Sequence, residues 1–386
     1  MISNITPTIK YIGVDDLDID LFESQYVVPN GVSYNSYLIE DEKIAIMDTA
    51  DARKGKEWWA NLEEALNGRK PSYLVVHHME PDHASLVAEV ADKYPEIKIL
   101  TSEKAVKMLS QFFPEKDLTA NIEVIKEGNS VCLGEHTLTF YAAPMVHWPE
   151  VMVSYDAKDK VLFSADGFGK FGALSADEDW ACEARRYYFN ICGKYGAPVQ
   201  KLLKKAATLD IAIICPLHGP VLKGNLGYYI GLYDTWSKYE AETEGVLIAY
   251  ASIHGGTKVV AEKVAEMFRE KNIGKVAITD LCRDDMAEAI EDAFRMNRLV
   301  LAAASYDASV FPPMYDFIHH LEMKAYQNRK VGIIENGSWA PSAAKTMKKQ
   351  LEAFKNIEIV EPTVTIWSRL KDSDLPQLQA LVDAMA

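Results

Sequence analysis

The sequence predicts an α/β protein with two domains, residues 1–244 and residues 245–386. Its length, 386 residues, exceeds what one hydrophobic core usually organises. Before residue 245, groups of strands alternate with groups of helices, which favours two sheets packed face to face with helices outside. After residue 245, strand and helix alternate five times, which is typical of a doubly wound parallel sheet.

Short apolar runs define the elements of the first domain. Predicted strands lie at residues 11–14, 25–28, 32–40, 43–49, 74–76, 97–100, 122–125, 130–133, 137–143, 151–155, 161–164 and 211–215. Predicted helices lie at residues 52–66, 84–93, 102–112, 177–190 and 199–207, with a long polar helix at 226–242.

The second domain is recognised by its change of period, because no Pro/Gly-rich linker precedes it. Its predicted strands are residues 246–250, 275–281, 299–304, 331–334 and 357–366. Helices are expected between them, including residues 258–270 and 312–325, and at the end of the chain.

Charge and cysteine usage exclude several classes of protein. The formal net charge of -15 argues against a general nucleic-acid binder, because neutralising phosphates needs clustered Lys and Arg. The five cysteines form no CxxC pair, so neither a disulfide framework nor a thiolate metal site is expected, and any rubredoxin-type centre must lie on another protein. The amino terminus has no signal-peptide pattern and no apolar run reaches 18 residues, so we expect a cytoplasmic protein.

The stretch after the strand at residues 74–76 carries the strongest chemical signal. It reads HHMEPDH and contains His78, Glu80, Asp82 and His83. Alternate side chains of an extended segment point the same way, so the first three can converge beyond the strand end. The alternative is a polar loop in which Asp82 caps a helix beginning near residue 84. Four ligand-type side chains in six residues favour a metal site.

Three more candidate ligands follow predicted strands. His147 follows residues 137–143, Asp166 follows 161–164, and His218 follows 211–215. A lone His is usually structural and an Asp before Gly usually marks a turn, but their repeated position at strand ends predicts one shared site. His77 faces the opposite side by strand parity, and we expect it to be a packed or supporting group. His136, His319 and His320 are expected to be structural.

The order HxExDH, His, Asp, His resembles the metallo-β-lactamase-fold domain of the flavodiiron proteins, or A-type flavoproteins, and the resemblance covers essentially the whole chain. It implies a metallo-β-lactamase-like αββα sandwich in residues 1–244 and a flavodoxin-like domain in residues 245–386. Hydrolytic relatives usually have His at the second motif position, around zinc, whereas this chain has Glu80. A carboxylate is a harder donor than imidazole and adds negative charge, which suits iron.

The resemblance also implies a ligand set for two irons bridged by Asp166 and by an oxo or hydroxo group. One iron is expected on His78, Glu80, His147 and Asp166, and the other on Asp82, His83, Asp166 and His218. Some members of the family leave the residue matching His83 unligated.

Three loops of the second domain are expected to bind FMN. The turn after the first strand combines hydroxyls, small residues and a helix N-terminus, which together cradle a phosphate. It consists of Ser252, Ile253, His254, Gly255, Gly256 and Thr257. The other two loops, at the carboxyl edge where a ring system binds, are Ser305, Tyr306, Asp307 and Ala308, and Asn336, Gly337, Ser338, Trp339 and Ala340. The sequence of the first loop resembles the FMN phosphate loop of flavodoxins and not the GxGxxG dinucleotide fingerprint. Trp339 is expected either to flank the flavin ring or to pack within the domain.

The resemblance implies an oxidoreductase that passes electrons from an external donor through FMN to a non-haem diiron site. There O2 is reduced to water, or NO to N2O, or both. The donor is expected to be a separate rubredoxin, or reduced coenzyme F420, and the enzyme a head-to-tail homodimer or a dimer of dimers. No nucleic acid or membrane partner is expected. The alternative is a dinuclear-metal hydrolase of the metallo-β-lactamase or glyoxalase II type, for which the FMN domain would have no use.

Overall fold

The computed structural model describes residues 2–386, which form two compact units. The first unit comprises the residues up to Tyr188 together with Ala197–Tyr233, and the second comprises Phe189–Gly196 together with Asp234–Ala386.

The first unit is built mainly from strands, which precede and follow its helices. The strands are β1 (Ser3–Asn4), β2 (Ile9–Tyr11), β3 (Val14–Asp16), β4 (Leu21–Phe22), β5 (Tyr26–Val27), β6 (Val32–Tyr34), β7 (Tyr37–Ile39), β8 (Ala45–Met47), β9 (Tyr73–Val75), β10 (Lys98–Ser102), β11 (Ile122–Ile125), β12 (Ser130–Cys132), β13 (Thr137–Ala142), β14 (Met152–Asp156), β15 (Val161–Phe163), β16 (Ile213–Cys215) and β17 (Leu222–Lys223). The helices up to residue 237 are α1 (Gly55–Leu66), α2 (Pro81–Ala84), α3 (Val87–Lys93), α4 (Glu103–Phe112), α5 (Trp180–Tyr187), α6 (Gly196–Ala206) and α7 (Leu226–Ser237).

Two large sheets form the body of this unit. One has seven strands in the order β1-β2-β7-β8-β9-β10-β11, and the other has six in the order β12-β13-β14-β15-β16-β17. Side chains of both sheets share one buried cluster, in which the rings of Tyr37 and Phe163 lie 5.6 Å apart. In β9, Val75 belongs to that cluster while the neighbouring Leu74, also fully buried, faces the other side. A sheet buried on both faces must be covered by helices, which agrees with the predicted sandwich.

Two helices of this unit, α4 and α5, begin at a capping side chain. The Ser102 hydroxyl accepts a hydrogen bond from Ala105 N at the start of α4, and Asp179 accepts one from Cys182 N at the start of α5. Helix α1 ends at Leu66 and is followed by Asn67, whose left-handed conformation is one that Asn tolerates well.

The second unit is a parallel sheet with helices between its strands. Its strands are β18 (Thr243–Ala251), β19 (Lys275–Asp280), β20 (Met296–Tyr306), β21 (Ser309–Val310), β22 (Gln327–Asn336) and β23 (Lys355–Ile366). Its helices are α8 (Gly256–Glu270), α9 (Met286–Arg295), α10 (Pro312–Met323), α11 (Ala343–Leu351) and α12 (Leu375–Met385).

The strand order of this sheet, β19-β18-β20-β22-β23, corresponds to 2-1-3-4-5 in chain order. The chain therefore reverses direction across the sheet between β18 and β20, and ligands of such sheets bind at the carboxyl ends of the strands at this point. One face of the sheet packs against α8 and α12 through residues such as Ile248, Val264 and Leu381.

The predicted fold class is confirmed, with local corrections. The helix predicted at residues 84–93 begins later, as α3 at Val87, because Pro81 starts a separate short helix, α2, that ends at Ala84. The helix predicted as long and polar at residues 226–242 ends at Ser237 and buries Tyr233 and Trp236. The hairpin of β4 and β5 was only partly predicted.

No helix among residues 2–386 combines the length and the apolar character that crossing a lipid bilayer would need.

Candidate metal centre and cofactor cleft

The seven predicted ligand side chains of the first unit lie together in two adjoining groups. His78 and Glu80 follow β9, and Asp82 and His83 lie in α2. His147, Asp166 and His218 follow β13, β15 and β16. The first group consists of His78, Glu80, His147 and Asp166, and the second of Asp82, His83 and His218.

The first group is a ring of nitrogen and oxygen atoms around one point. His78 Nε2 lies 3.2 Å from Glu80 Oε2 and 3.3 Å from His147 Nε2. His147 Nε2 lies 3.1 Å from Glu80 Oε2 and 3.0 Å from Asp166 Oδ2. When the two imidazoles are neutral, all four atoms carry lone pairs. They can therefore bind one cation together, whereas they cannot all hydrogen-bond to one another.

The second group repeats the arrangement with different donors. His83 Nε2 lies 3.0 Å from His218 Nε2 and 3.3 Å from Asp82 Oδ2, and His218 Nε2 lies 3.2 Å from Asp82 Oδ2. Asp166 joins the two groups, because its Oδ1 lies 3.3 Å from His83 Nε2 while its Oδ2 faces the first group. One carboxylate thus offers an oxygen to each group.

Buried oxygens in this cluster lack hydrogen-bond partners. Both carboxylate oxygens of Asp82 and of Asp166 are buried without one. Burying an ionised carboxylate without compensation is costly, so such groups in proteins are paired or bind metal. This observation, together with the mixed imidazole and carboxylate donors, fits the two metal ions that the sequence predicts.

Neighbouring acceptors fix the orientation of two imidazoles. His218 Nδ1 donates to the Ser33 carbonyl oxygen at 2.7 Å, which leaves a lone pair on Nε2. His78 Nδ1 lies 2.8 Å from Glu150 Oε1, and Glu150 also accepts a hydrogen bond from Met79 N at 2.9 Å. Such contacts orient metal-binding histidines in known metal sites.

Among these side chains alone, burial and charge oppose each other. Burial lowers the pKa of His147, but the Asp166 and Glu80 carboxylates outweigh it and raise the pKa to about 9. Burial would raise the pKa of Asp166, yet His78, His147 and His83 hold it well below the ordinary value. The carboxylates therefore create a negative potential that favours cations at this point.

Several supporting residues have no motif in the sequence. Glu150 is one of them, because its role depends on a contact across 72 residues of chain. Burial and the nearby Glu80 carboxylate raise the pKa of Glu23, at the turn of the β4–β5 hairpin, to about 7, so another carboxyl group lies close to the centre. No local pattern in the sequence could have identified either of them.

His77 is oriented away from the centre, as strand parity predicts. Its Nδ1 lies 2.5 Å from Asp48 Oδ2 and its Nε2 lies 2.8 Å from Ser154 Oγ. The alternative role for Asp82 as a helix cap is wrong, because α2 begins at Pro81 and Asp82 lies inside it.

The fifteen predicted cofactor residues of the second unit line one cleft of about 1440 Å³. Their loops follow β18, β20 and β22, at the carboxyl ends of the strands. A fourth loop, Ser368, Arg369, Leu370 and Lys371 after β23, also lines the cleft and was not predicted. The sequence of this loop gives little indication of its role, because it lacks the Gly-rich or Ser/Thr-rich composition of a phosphate loop.

The first loop has the features of an anion site. Gly255 precedes α8 with a left-handed backbone (φ 84°), and no side chain caps this helix. The Ser252 hydroxyl oxygen is buried without a hydrogen-bond partner. Free N–H groups at a helix N-terminus next to an unpaired hydroxyl fit a phosphate, as FMN requires.

The other loops hold one another in place. Asn336 exchanges hydrogen bonds with the Ser368 backbone at 3.1 Å, and Ser305 Oγ accepts from Ser342 N at 2.8 Å. Asp307 and Ala308 both have positive φ and form a tight turn between β20 and β21, a conformation that favours Asn or Gly.

Aromatic side chains lie exposed at the cleft. Trp339 is 88% exposed, so it is not packed in the core of the unit, and Tyr306 is 46% exposed. The cleft thus combines an anion site with flat apolar surface.

This chain is similar to one family model and to several known proteins. The family model described as "ODP family beta lactamase" matches residues 32–219. A nitric oxide reductase of Moorella thermoacetica is 29% identical, over 98% of this chain and 96% of the relative. The solved rubredoxin oxygen:oxidoreductase of Desulfovibrio gigas has a TM-score of 0.92 and 25% identity, covering 100% of this chain and 98% of that one. The flavodiiron protein of Giardia intestinalis shares the fold, with a TM-score of 0.93 at 23% identity over 100% of this chain and 96% of that one. The homologues and structural neighbours of this chain are therefore flavodiiron proteins.

Proposed function

We propose that this chain is a flavodiiron oxidoreductase that takes electrons from an external donor through FMN and reduces O2 to water, NO to N2O, or both. The observation that carries the proposal is the position of Glu80, whose carboxylate lies 3.2 and 3.1 Å from His78 and His147 Nε2. A carboxylate is thus part of the donor ring at the position where the hydrolytic relatives use imidazole.

The proposed ligands divide between two irons. His78, Glu80, His147 and Asp166 would hold one, and Asp82, His83, His218 and Asp166 the other, with Asp166 and an oxo or hydroxo group as bridges. When bound, the irons would supply electrons and Lewis acidity to the diatomic substrate, and FMN would supply the electrons that replace them.

The chain's own residues orient the donors and limit access. Ser33 and Glu150 direct His218 and His78 through their Nδ1 atoms. The Trp148 ring lies 5.1 Å from the His78 ring, and Tyr34 lies 6.2 Å from the His218 ring. These aromatic walls and the burial of the donors favour a small uncharged substrate over a large ester or amide.

The second unit would bind FMN in its cleft. The N-terminus of α8 and the Ser252 and Thr257 hydroxyls would bind the phosphate, and the loops after β20 and β22 would hold the ring system. The exposed aromatic side chains Trp339 and Tyr306 leave apolar surface next to the ring.

The apolar surface formed by Trp339 and Tyr306 is available for contacts with two partners. We propose that the enzyme is a cytoplasmic head-to-tail homodimer or dimer of dimers, in which a second copy covers part of it. The donor, rubredoxin or reduced coenzyme F420, would use the remainder. Relatives carry the names nitric oxide reductase and rubredoxin-oxygen oxidoreductase, which supports an oxidoreductase over the hydrolase alternative.

The test begins with the protein purified without added metal. We expect yellow protein with about one FMN and two irons per chain, and consumption of O2 or NO after anaerobic reduction. His147→Ala should abolish consumption, while His319→Ala, an exposed histidine of the second unit, should leave it unchanged. Colourless protein that binds zinc and cleaves esters would refute the proposal.

A further inference from the structure

A second cluster of potential ligands lies in the first unit and shares no residue with the candidate metal centre. It contains His136 in the turn between β12 and β13, Asp156 at the end of β14, and Asp159 in the turn before β15. One ligand atom from each lies within 4.8 Å of the others. Thr6 and Thr8, from the segment between β1 and β2, close the cluster.

The contacts in this cluster bring three chain segments together. Thr6 Oγ1 donates to Asp159 Oδ2 at 2.6 Å, and Thr8 Oγ1 lies 2.9 Å from His136 Nε2. Asp159 N donates to Asp156 Oδ2 at 2.9 Å. The turns therefore hold the two carboxyl groups and the imidazole side by side.

Two polar atoms in the cluster are buried and unsatisfied. Asp156 and His136 are both fully buried, and neither Asp156 Oδ1 nor His136 Nδ1 has a hydrogen-bond partner. His136 Nδ1 lies 3.1 Å from Asp156 Oδ2, close enough for an ion pair but not aligned as a hydrogen bond. Native proteins rarely leave such atoms unpaired unless an ion or water satisfies them.

No lysine or arginine among the described residues pairs with the carboxylates of the cluster. Two carboxylates lie together, and no Lys or Arg nitrogen in the described part of the chain comes within 4.0 Å of either. The nearest lysines in sequence, Lys158 and Lys160, pair with Glu135 and Asp210 instead. A protonated His136 would neutralise only one of the two carboxylates.

We propose that this cluster binds a third metal ion, a divalent first-row cation held by His136, Asp156 and Asp159. One imidazole and two carboxylates suit Zn²⁺ or Mn²⁺, and the threonine hydroxyls orient the ligands. The ion ties the N-terminal segment to two turns of the six-stranded sheet. Its role is structural, because the side chains of His136 and Asp156 are fully buried.

Equilibrium dialysis of the holoprotein against micromolar Zn²⁺ tests the site, with iron, FMN and zinc counted in the same sample. We expect the wild type to bind one zinc per chain with iron and FMN unchanged. Asp159→Asn, which keeps the shape of a half-exposed residue, should weaken zinc binding about tenfold or more. His136→Gln should do the same, and zinc should raise the Tm of the wild type but not that of these two variants.

The control is Asp117→Asn, the same exchange at an exposed aspartate that accepts a hydrogen bond from Thr119 N. It should bind zinc like the wild type. Three results would overturn the proposal: no zinc bound by the wild type, equal binding by Asp159→Asn, or zinc uptake matched by loss of iron. In each case the cluster is an internal ion pair. Because iron and FMN are counted separately, this failure leaves the proposed oxidoreductase function untouched.

Discussion

The candidate metal centre and the candidate cofactor cleft are built in opposite ways. At the centre, buried side chains converge, and the carboxylate oxygens of Asp82 and Asp166 are buried without a hydrogen-bond partner. At the cleft, polar side chains such as Asn336 and Ser305 form hydrogen bonds to neighbouring loops. Of the cleft residues, only Ser252 has a buried side-chain oxygen without a hydrogen-bond partner. The centre is defined by side-chain chemistry, and the cleft by backbone shape.

This difference predicts how each site responds to substitution. Replacing one ligand side chain at the centre leaves the other buried ligands without a partner. The loss of metal binding should therefore be close to all-or-none. Exchanging a side chain at the cleft leaves most backbone contacts in place, so the effect should be graded. The following substitutions test that contrast.

Asp166→Asn should have the largest effect. Asp166 faces both groups of ligands, and an amide offers one oxygen where the carboxylate offers two. We expect loss of most iron from both positions and about a hundredfold or greater loss of gas consumption, with FMN retained. Iron analysis, flavin absorbance and circular dichroism measure this result, with Asp117→Asn as the matched control. Retention of two irons would show that Asp166 is not a bridge.

The centre could be predicted from sequence because its chemistry is local. His78, Glu80, Asp82 and His83 lie in one short stretch, and the structure brings His147, Asp166 and His218 to it from other strand ends. Strand parity was enough to separate His77 from its neighbour. A ligand must be a particular residue type at a strand end, and both properties can be read from sequence.

The supporting contacts could not be predicted, because they depend on distances in space. Glu150 reaches His78 across 72 residues, and the loop at Ser368 pairs with Asn336 across 32. Nothing in the composition of either segment distinguishes it from an ordinary loop. The fold class was predicted because the alternation of strands and helices determines it. The predicted length of α7 was wrong, because the helix ends at Ser237, and its predicted polar character was wrong, because it buries Tyr233 and Trp236.

Glu150→Gln should weaken the centre without destroying it. The substitution removes the negative charge of a carboxylate that orients His78 and accepts a hydrogen bond from Met79 N. Contacts of this kind typically change metal affinity by about 10 to 100-fold. Competition with a chelator should therefore remove iron from the variant at correspondingly lower chelator concentration. Glu103→Gln, an exposed glutamate at the start of α4, is the control. Equal chelator resistance would show that the carboxylate is dispensable.

Gly256→Ala should affect the cleft alone. A Cβ at Gly256 would lie 2.7 Å from the Ser368 carbonyl oxygen and 3.4 Å from Asn336 Nδ2, so the loops must separate. We expect FMN binding weaker by roughly tenfold, because the phosphate loop keeps its backbone donors. Gly227→Ala, near the start of α7 where the nearest atom is 3.7 Å away, is the control. Iron lost in parallel with FMN would contradict the independence of the two sites.

Glu178→Gln should have the smallest effect and mark the limit of the comparison, because this carboxylate of the first unit is satisfied by protein donors. Burial would raise the pKa of Glu178, but Lys170 at 2.9 Å and Asn30 hold it below its ordinary value. The pair therefore stabilises the fold above the ordinary glutamate pKa, and this contribution disappears as the pH falls through the lowered pKa. The variant should be less stable by about 1 kcal/mol at pH 7, since the pair is only partly exposed. Its Tm should approach that of the wild type below about pH 4.5, while Asp177→Asn, at the exposed neighbour, should match the wild type throughout. Replacing a carboxylate that protein donors already satisfy should change stability and leave the iron content unchanged. Loss of iron from Glu178→Gln would contradict the distinction between the centre and the rest of its unit.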